Sequence, residues 1–164
     1  MVMARTKLLI HDDLLRPRPR MTISFTGSHP EKFYHEIPKL LATVFRVGED
    51  AIQEKKYYWS KGEPEKFKIS WEVNKDLDKF SFYWIVIDFE GTVSKGMGSA
   101  SIVIEGALRT EYAQDTIWEK SILYEFLRMV WNKTIYFPKR EEYLKEGRRL
   151  LGIFIEDLKG LTRA

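Results

Sequence analysis

The chain contains no cysteine among its 164 residues. Disulfides, thiol nucleophiles, iron–sulfur ligation and thiolate zinc sites are therefore excluded. Asparagine and glutamine are scarce, limited to Asn74, Asn132, Gln53 and Gln114. Beside abundant Lys and Glu, that scarcity points to a hot-living (thermophile) source. No segment approaches the roughly 18 consecutive apolar residues of a membrane span. The densest run, Phe82-Tyr83-Trp84-Ile85-Val86-Ile87, stops at Asp88 and reads as a buried strand. Residues 1–20 lack the apolar core and cleavage site of a secretory signal, so a cytoplasmic location is expected. Repeats, low-complexity tracts and sustained heptads are absent too. The expected organisation is one α+β domain over residues 21–164, with residues 1–20 as a basic N-terminal arm or short strand.

An excess of one charge sign is also missing from most of the chain. The formal net charge is +3, and residues 1–20 carry all of it, with five basic residues against two acidic ones. A broad basic surface is therefore not expected on the folded body, and nucleic acid is a disfavoured partner. The local exception is Arg16-Pro17-Arg18-Pro19-Arg20. Arg16, Arg18 and Arg20 are the candidate phosphate contacts; as plain structure, the same stretch is a stiff, solvated linker.

What is present is alternation. Residues 66–73 place Phe67, Ile69, Trp71 and Val73 on one face and Lys66, Lys68, Ser70 and Glu72 on the other. Residues 80–89 are apolar on both faces, which predicts a central strand covered on each side. Strands over 52–60 and 99–109 complete a four-strand meander, preceded by a strand over 21–25, and consecutive strands of this kind pair antiparallel. The turn into the fourth strand is expected between Gly91 and Gly98.

Helical spacing recurs at Phe33, Ile37, Leu40, Leu41 and Val44, behind a capping-box spacing of Ser28 and Glu31. Pro38 inside this pattern predicts either a kink or two short helices meeting near residue 37 in a V-shaped cradle. A second helix is expected behind Thr116 and Glu119, carrying Ile117, Trp118, Ile122, Leu127, Val130 and Trp131, and ending near Asn132 ahead of Phe137-Pro138. A third pattern, Tyr143, Leu150, Leu151, Phe154 and Leu158, closes at Gly160. The fold class is thus a single antiparallel meander packed against an N-terminal Pro-broken helix and C-terminal helices.

Chemistry-bearing motifs are few. His11, His29 and His35 lack zinc spacing, so no metal site is predicted. Lys95-Gly96-Met97-Gly98-Ser99 joins two strands and lacks the helix that a phosphate loop requires. Gly98-Ser99-Ala100-Ser101 is not a nucleophile elbow, and no histidine follows His35. Nothing implies a cofactor. Asp88 and Glu90 end the apolar third strand, and Glu105 interrupts the fourth. They read as the place where the sheet meets water, as polar groups of a ligand pocket, or as general acid–base groups. The tryptophans are Trp59, Trp71, Trp84, Trp118 and Trp131, and large rings with one polar handle line cavities as well as cores. Trp71, Trp84 and Trp118, with Asp88 and Glu90, form the candidate ligand-binding set.

The order of strand (21–25), Pro38-interrupted helical segment, meander (52–109) and C-terminal helix resembles the helix-grip fold of the START and plant-allergen superfamily. The resemblance covers residues 21–131 and concerns topology. It implies a curved sheet wrapped around a long helix, enclosing an apolar cavity for lipids, hormones or polyketide-like compounds. The second C-terminal helical segment has no counterpart in that pattern. Three uses follow as expectations. One is binding of a hydrophobic or amphipathic small molecule or lipid between sheet and C-terminal helix. Another is a structural or protein-partner-binding module acting through the C-terminal helices. The third is nucleic-acid binding through the basic arm. Catalysis by Asp88, Glu90 or Glu105 stays open.

Overall fold

The computed structural model describes residues 6–114 and 122–163. Strand β1 (Thr6–Asp13) and strand β2 (Arg20–Ser28) come first, followed by a short 3-10 turn, Pro30–Lys32, and helix α1 (Phe33–Phe45). The meander is β3 (Ile52–Ser60), β4 (Glu65–Asp76), β5 (Ser81–Ser94) and β6 (Met97–Gln114). Helix α2 (Ile122–Trp131), a π-helical turn (Asn132–Tyr136) and helix α3 (Phe137–Arg163) end the chain.

All six strands form one antiparallel sheet in the order β3-β4-β5-β6. The far edge of β6 is shared: β2 pairs with its residues 97–105 and β1 with its residues 107–114. Residues 1–20 were expected to hold an arm or a short strand, and residues 6–13 take the strand. Leu14 then turns into the core, its N–H donating to the Gly106 carbonyl at 2.9 Å. The alternation expected of β4 holds, with Phe67, Ile69, Trp71 and Val73 buried together. The β5–β6 turn is tighter than the Gly91–Gly98 reading. Strand pairing continues to Ser94 and Met97, and only Lys95 and Gly96 turn the chain, with φ of 52° and 78°. Two successive positive φ values match the right-handed twist of a hairpin, which is where Gly96 is useful.

Helix α1 buries Phe33, Ile37, Leu41 and Phe45 on one side, at four-residue spacing. It runs unbroken through Pro38, which corrects the two-helix cradle. The energetic reason is a comparison of sizes. An interior proline costs about 3 kcal/mol, whereas each fully buried large apolar side chain contributes about 1.5–3 kcal/mol. The capping box also fails. Ser28 ends β2, and His29 occupies the position before the turn with φ 49° and no side-chain cap. The Glu31 carboxylate instead lies 3.0 Å from His29 Nδ1. The other proposed box, Thr116 and Glu119, lies outside the described residues.

The helix that roofs the sheet is α3. It buries Leu144, Gly147, Leu151, Phe154, Ile155 and Leu158, whereas Phe126, Leu127, Met129 and Val130 of α2 are exposed. The two C-terminal segments thus exchange the expected roles. Pro138 does not stop the chain, because the π-helical turn places it in the first turn of α3, where backbone N–H groups have no intrahelical partner. The helix also continues past Gly160 to Arg163. The arrangement, a curved antiparallel sheet with one N-terminal helix and a long C-terminal helix on its inner face, is helix-grip-like. Among the described residues no helix is long and apolar enough to cross a membrane.

The outer face of β5 corrects another expectation. Phe82, Trp84 and Val86 are half-buried there, and no layer of the described residues covers them. Trp84 is shielded locally instead, by the Arg109 guanidinium 3.8 Å from its ring centroid and by the edge of His11 at 6.0 Å. A cation over an indole face and the stem of a long side chain supply cover that a helix would otherwise provide.

Contact between α3 and the sheet depends on Gly147. A Cβ there would lie 2.6 Å from Tyr83 Cε1 and 2.9 Å from Leu14 Cδ2. At Gly152, on the same helix, a Cβ would meet nothing within 4 Å. Gly147→Ala should therefore destabilise the fold by about 1–3 kcal/mol through overpacking, despite the gain in helix propensity. Gly152→Ala should stabilise by up to about 1 kcal/mol. Urea denaturation of both variants checks the pair, and equal shifts would contradict the close approach.

Candidate functional site

A groove of about 740 Å³ opens between α1 and the start of β3. Tyr34, His35, Pro38, Lys39, Ala42 and Thr43 supply the helical wall. Glu49, Ile52 and Glu54 form the opposite rim, and Trp71 of β4 contributes from below. The wall follows from helix geometry: Tyr34 flanks the buried row Phe33, Ile37, Leu41 and Phe45 and still packs against the core, while His35, Lys39 and Thr43 lie farther round and are exposed.

Tyr34 organises the groove. Its ring lies 5.8 Å from Trp71, 5.5 Å from Trp59 and 6.0 Å from Tyr57, centroid to centroid. Its hydroxyl donates to Glu54 Oε2 at 2.9 Å. Burial first, then the bond to Glu54 and that carboxylate's charge, push the phenol up to about 12. Tyr34 is therefore a neutral donor at ordinary pH and not a base. The groove thus has an aromatic floor, a helix wall that mixes Pro38 and Ala42 with His35, Lys39 and Thr43, and a rim bearing Glu49 and Glu54. Among the described residues no group of three His, Asp or Glu side chains could hold a metal ion.

The predicted ligand set is dispersed. Trp71 lies on the inner face and lines the groove. Trp84, Asp88 and Glu90 lie on the outer face, Asp88 and Glu90 exposed, with Lys68 Nζ 3.7 Å from Glu90. Trp118 is outside the described residues. Of the basic set, Arg16, Arg18 and Arg20 are all exposed, and Arg20 Nε donates to Glu105 Oε2 at 3.2 Å. Tyr34 and Glu54 were missed because nothing local marks them. They meet only once α1 packs beside β3.

Sequence reading also missed a buried polar network at the other end of the sheet. Ser81 and Thr110 are cross-strand partners on the inner face, their hydroxyl oxygens 2.8 Å apart. Tyr136 from the π-helical turn reaches Ser81 and donates to Asp78 Oδ2 at 3.1 Å. Arg140 Nε donates to Thr110 Oγ1 at 3.0 Å, and its Nη1 pairs with Asp12 of β1. Asp78 also accepts the amides of Phe80 and Ser81 at 2.8 and 2.9 Å. Two polar residues at inward positions of apolar strands were the available signal. The network ties β1, β5 and β6 to the start of α3, with Asp12 and Asp78 balancing Lys139 and Arg140. A neighbouring concavity of about 460 Å³ is lined by Asp76, Asp78, Phe80, Phe82 and Glu111, among others.

No family model matches the chain, and no curated protein matches it in sequence. Among solved structures it is similar to a protein of unknown function from Staphylococcus aureus, 12% identical over 97% of this chain and 95% of that one, with a TM-score of 0.31. It is also similar to truncated norcoclaurine synthase from Thalictrum flavum, 11% identical over 92% of this chain and 97% of that one, with a TM-score of 0.25. Superpositions at these scores carry no argument about function.

Asp78 offers a pH-dependent check on the network. Desolvation pushes its carboxyl upward, but the Phe80 and Ser81 amides and the Tyr143 and Tyr136 hydroxyls outweigh it and hold the group below its ordinary value. A carboxyl depressed in the folded state stabilises fully above its unfolded pKa of about 4 and loses that contribution as pH falls through the folded value. Asp78→Asn should cost roughly 1–3 kcal/mol at pH 7, and the gap from wild type should narrow below about pH 4. Urea denaturation between pH 2 and pH 7 measures it; a gap independent of pH would refute the role of the charged form.

Proposed function

We propose that the protein binds an amphipathic small molecule in the groove between α1 and β3. The carrying observation is the contrast between that groove and the interior. Between the sheet and α3, Phe45, Ile85, Ile87, Leu151, Phe154 and Leu158 have no exposed surface, and close-packed apolar interiors of this kind hold few voids. The groove, at about 740 Å³, falls within the range of about 300–1,000 Å³ common for small-molecule sites. Tyr34, partly exposed and backed by the buried Trp71, offers a ring to an apolar body. His35, Lys39, Glu49 and Glu54 stand at the rim for a polar or charged end. The neutral Tyr34 hydroxyl, already bonded to Glu54, has a free acceptor lone pair but supplies no nucleophile. Binding is therefore favoured over catalysis in this site.

The test uses anilinonaphthalene sulfonate, an amphipathic dye, with the full chain. Wild type should saturate at one site. Thr43→Trp, which fills the groove from an exposed position, should weaken binding at least tenfold, about 1.4 kcal/mol, with an unchanged circular dichroism spectrum and melting temperature. Ile153→Trp, on the outer side of α3, should leave the affinity unaltered. Dye binding that survives Thr43→Trp but disappears in Phe126→Asp would place the site on α2 and remove this proposal.

A further inference from the structure

The two margins of the sheet are guarded unequally against further pairing. A free edge offers a row of unpaired backbone N–H and C=O groups, and proteins blunt it with charge, proline or a bulge. Strand β3 carries Lys55, Lys56 and a register shift. Strand β1 ends on His11, Asp12 and Asp13. Strand β2 has none of these devices. Among the described residues it pairs with β6 alone, in unbroken register from Arg20 opposite Glu105 to Ser28 opposite Met97. From Met21 to Ser28 it contains neither a charged residue nor a proline. Its far side makes no backbone hydrogen bond to any other described residue.

We propose that β2 pairs with β2 of a second copy of this chain, antiparallel about a twofold axis at Ser24, so that two sheets join into one. A strand that meets itself across such an axis is antiparallel by symmetry. Thr22 then stands beside the other copy's Thr26, and Ser24 beside its own equivalent. These three residues are exposed on the outer face, so the new neighbours are short hydroxyl side chains, a pairing that sheets favour. Arg20 falls opposite Ser28, and no like charges meet. The other candidate occupant, an extended segment of a different protein, is selected through pockets for its alternate side chains. Ile23 and Phe25, the inward positions of β2, are each only 7% exposed, which leaves no such pocket. A second copy also needs no ordering, because β6 already holds its strand extended. The contact draws on main-chain hydrogen bonds more than on apolar area, which makes it a weak, reversible association. It is independent of the α1–β3 groove, since β3 lies at the opposite margin of the sheet.

Sedimentation equilibrium of the full chain from about 1 to 300 μM tests the proposal, together with amide hydrogen exchange. The mass should rise toward that of two chains. The outward-pointing amides between Thr22 and Thr26 should exchange more slowly at the upper concentration. Ser24→Lys sets lysine against lysine at the axis. It should raise the dissociation constant at least a hundredfold, about 2.7 kcal/mol, with an unchanged circular dichroism spectrum. Ser24→Glu should do the same alone, and an equimolar mixture of the two variants should recover the two-chain mass. Tyr58→Lys, on the outer face of β3, should leave association unaltered. A single-chain mass for wild type throughout, exchange indifferent to concentration, or a mixture that stays monomeric would overturn the proposal. So would a dimer that survives Ser24→Lys and is lost in Met129→Asp, which would move the contact to α2.

Discussion

Along its inner face β6 presents Ala100, Ile102, Ile104 and Leu108 at every second position, and the one gap in that series is Gly106. Leu151 of α3, Leu14 and Ile85 close on that gap. A Cβ at residue 106 would lie 2.9 Å from Leu151 Cδ2, 3.0 Å from Ile85 Cδ1 and 3.5 Å from Leu14 Cδ1. Opposite, Gly147 removes the side chain that would hold α3 away from Tyr83. Two glycines on facing elements thus set how far the long helix sinks toward the sheet. The Tyr83 hydroxyl then reaches the Tyr143 carbonyl at 2.5 Å, and the Ser81–Thr110–Arg140 chain comes within bonding distance. A helix held farther out would leave those buried polar groups unpaired, at about 1–3 kcal/mol each.

The same close approach decides where a ligand has room. In a helix-grip arrangement the interior between sheet and helix is the obvious place for a cavity, and here side chains fill it. Phe45 of α1 and Phe154 of α3 meet at 6.5 Å, and Phe33 stands against Phe25 at 5.1 Å. Space remains at the sheet's margin. Strand β3 is an edge strand with its middle residues exposed, and a register shift between Glu54 and Lys56 bends it. A bulged edge strand twists away from its neighbours, and the α1–β3 groove lies alongside it, floored by rings that β4 and α1 project from either side.

The strands were legible because period-two alternation is a local property. Residues 66–73 declare their buried face without reference to any partner. Which face of β5 points inward is different, since both faces are apolar, and only the register settles it. Trp71 pairs with Ile87 and Trp84 pairs with Asn74. Trp71 therefore shares the inner face with the odd-numbered residues of β5, leaving Trp84, Asp88 and Glu90 outside. The exchange between α2 and α3 has a similar origin. The resemblance in element order put the roof on the first C-terminal segment, yet α3 takes it with only a narrow buried stripe, because Gly147 lets it approach closely. A glycine's packing role depends on what stands opposite, which the sequence does not display. Pro38 misled for a related reason. Its local penalty was visible, but the four buried side chains that outweigh it count only once the sheet lies beneath them.

Charge on the outer sheet face bears on how the two exposed apolar features should be understood. Lys68 stands directly across from Glu90, and Arg20 directly across from Glu105. Exposed pairs of this kind contribute about 0–1 kcal/mol, too little to hold the fold together. Their effect is on association: an alternating charge pattern resists stacking of one sheet face on another. Lys55, Lys56 and the adjacent register shift do the same for the β3 edge. Single apolar side chains are exposed elsewhere, at Leu9, Tyr58, Met97 and Ile153, as is ordinary on a protein surface. The half-exposed row on α2 and the ring-floored groove beside α1 differ from these in being grouped, and each has a helix to give it shape.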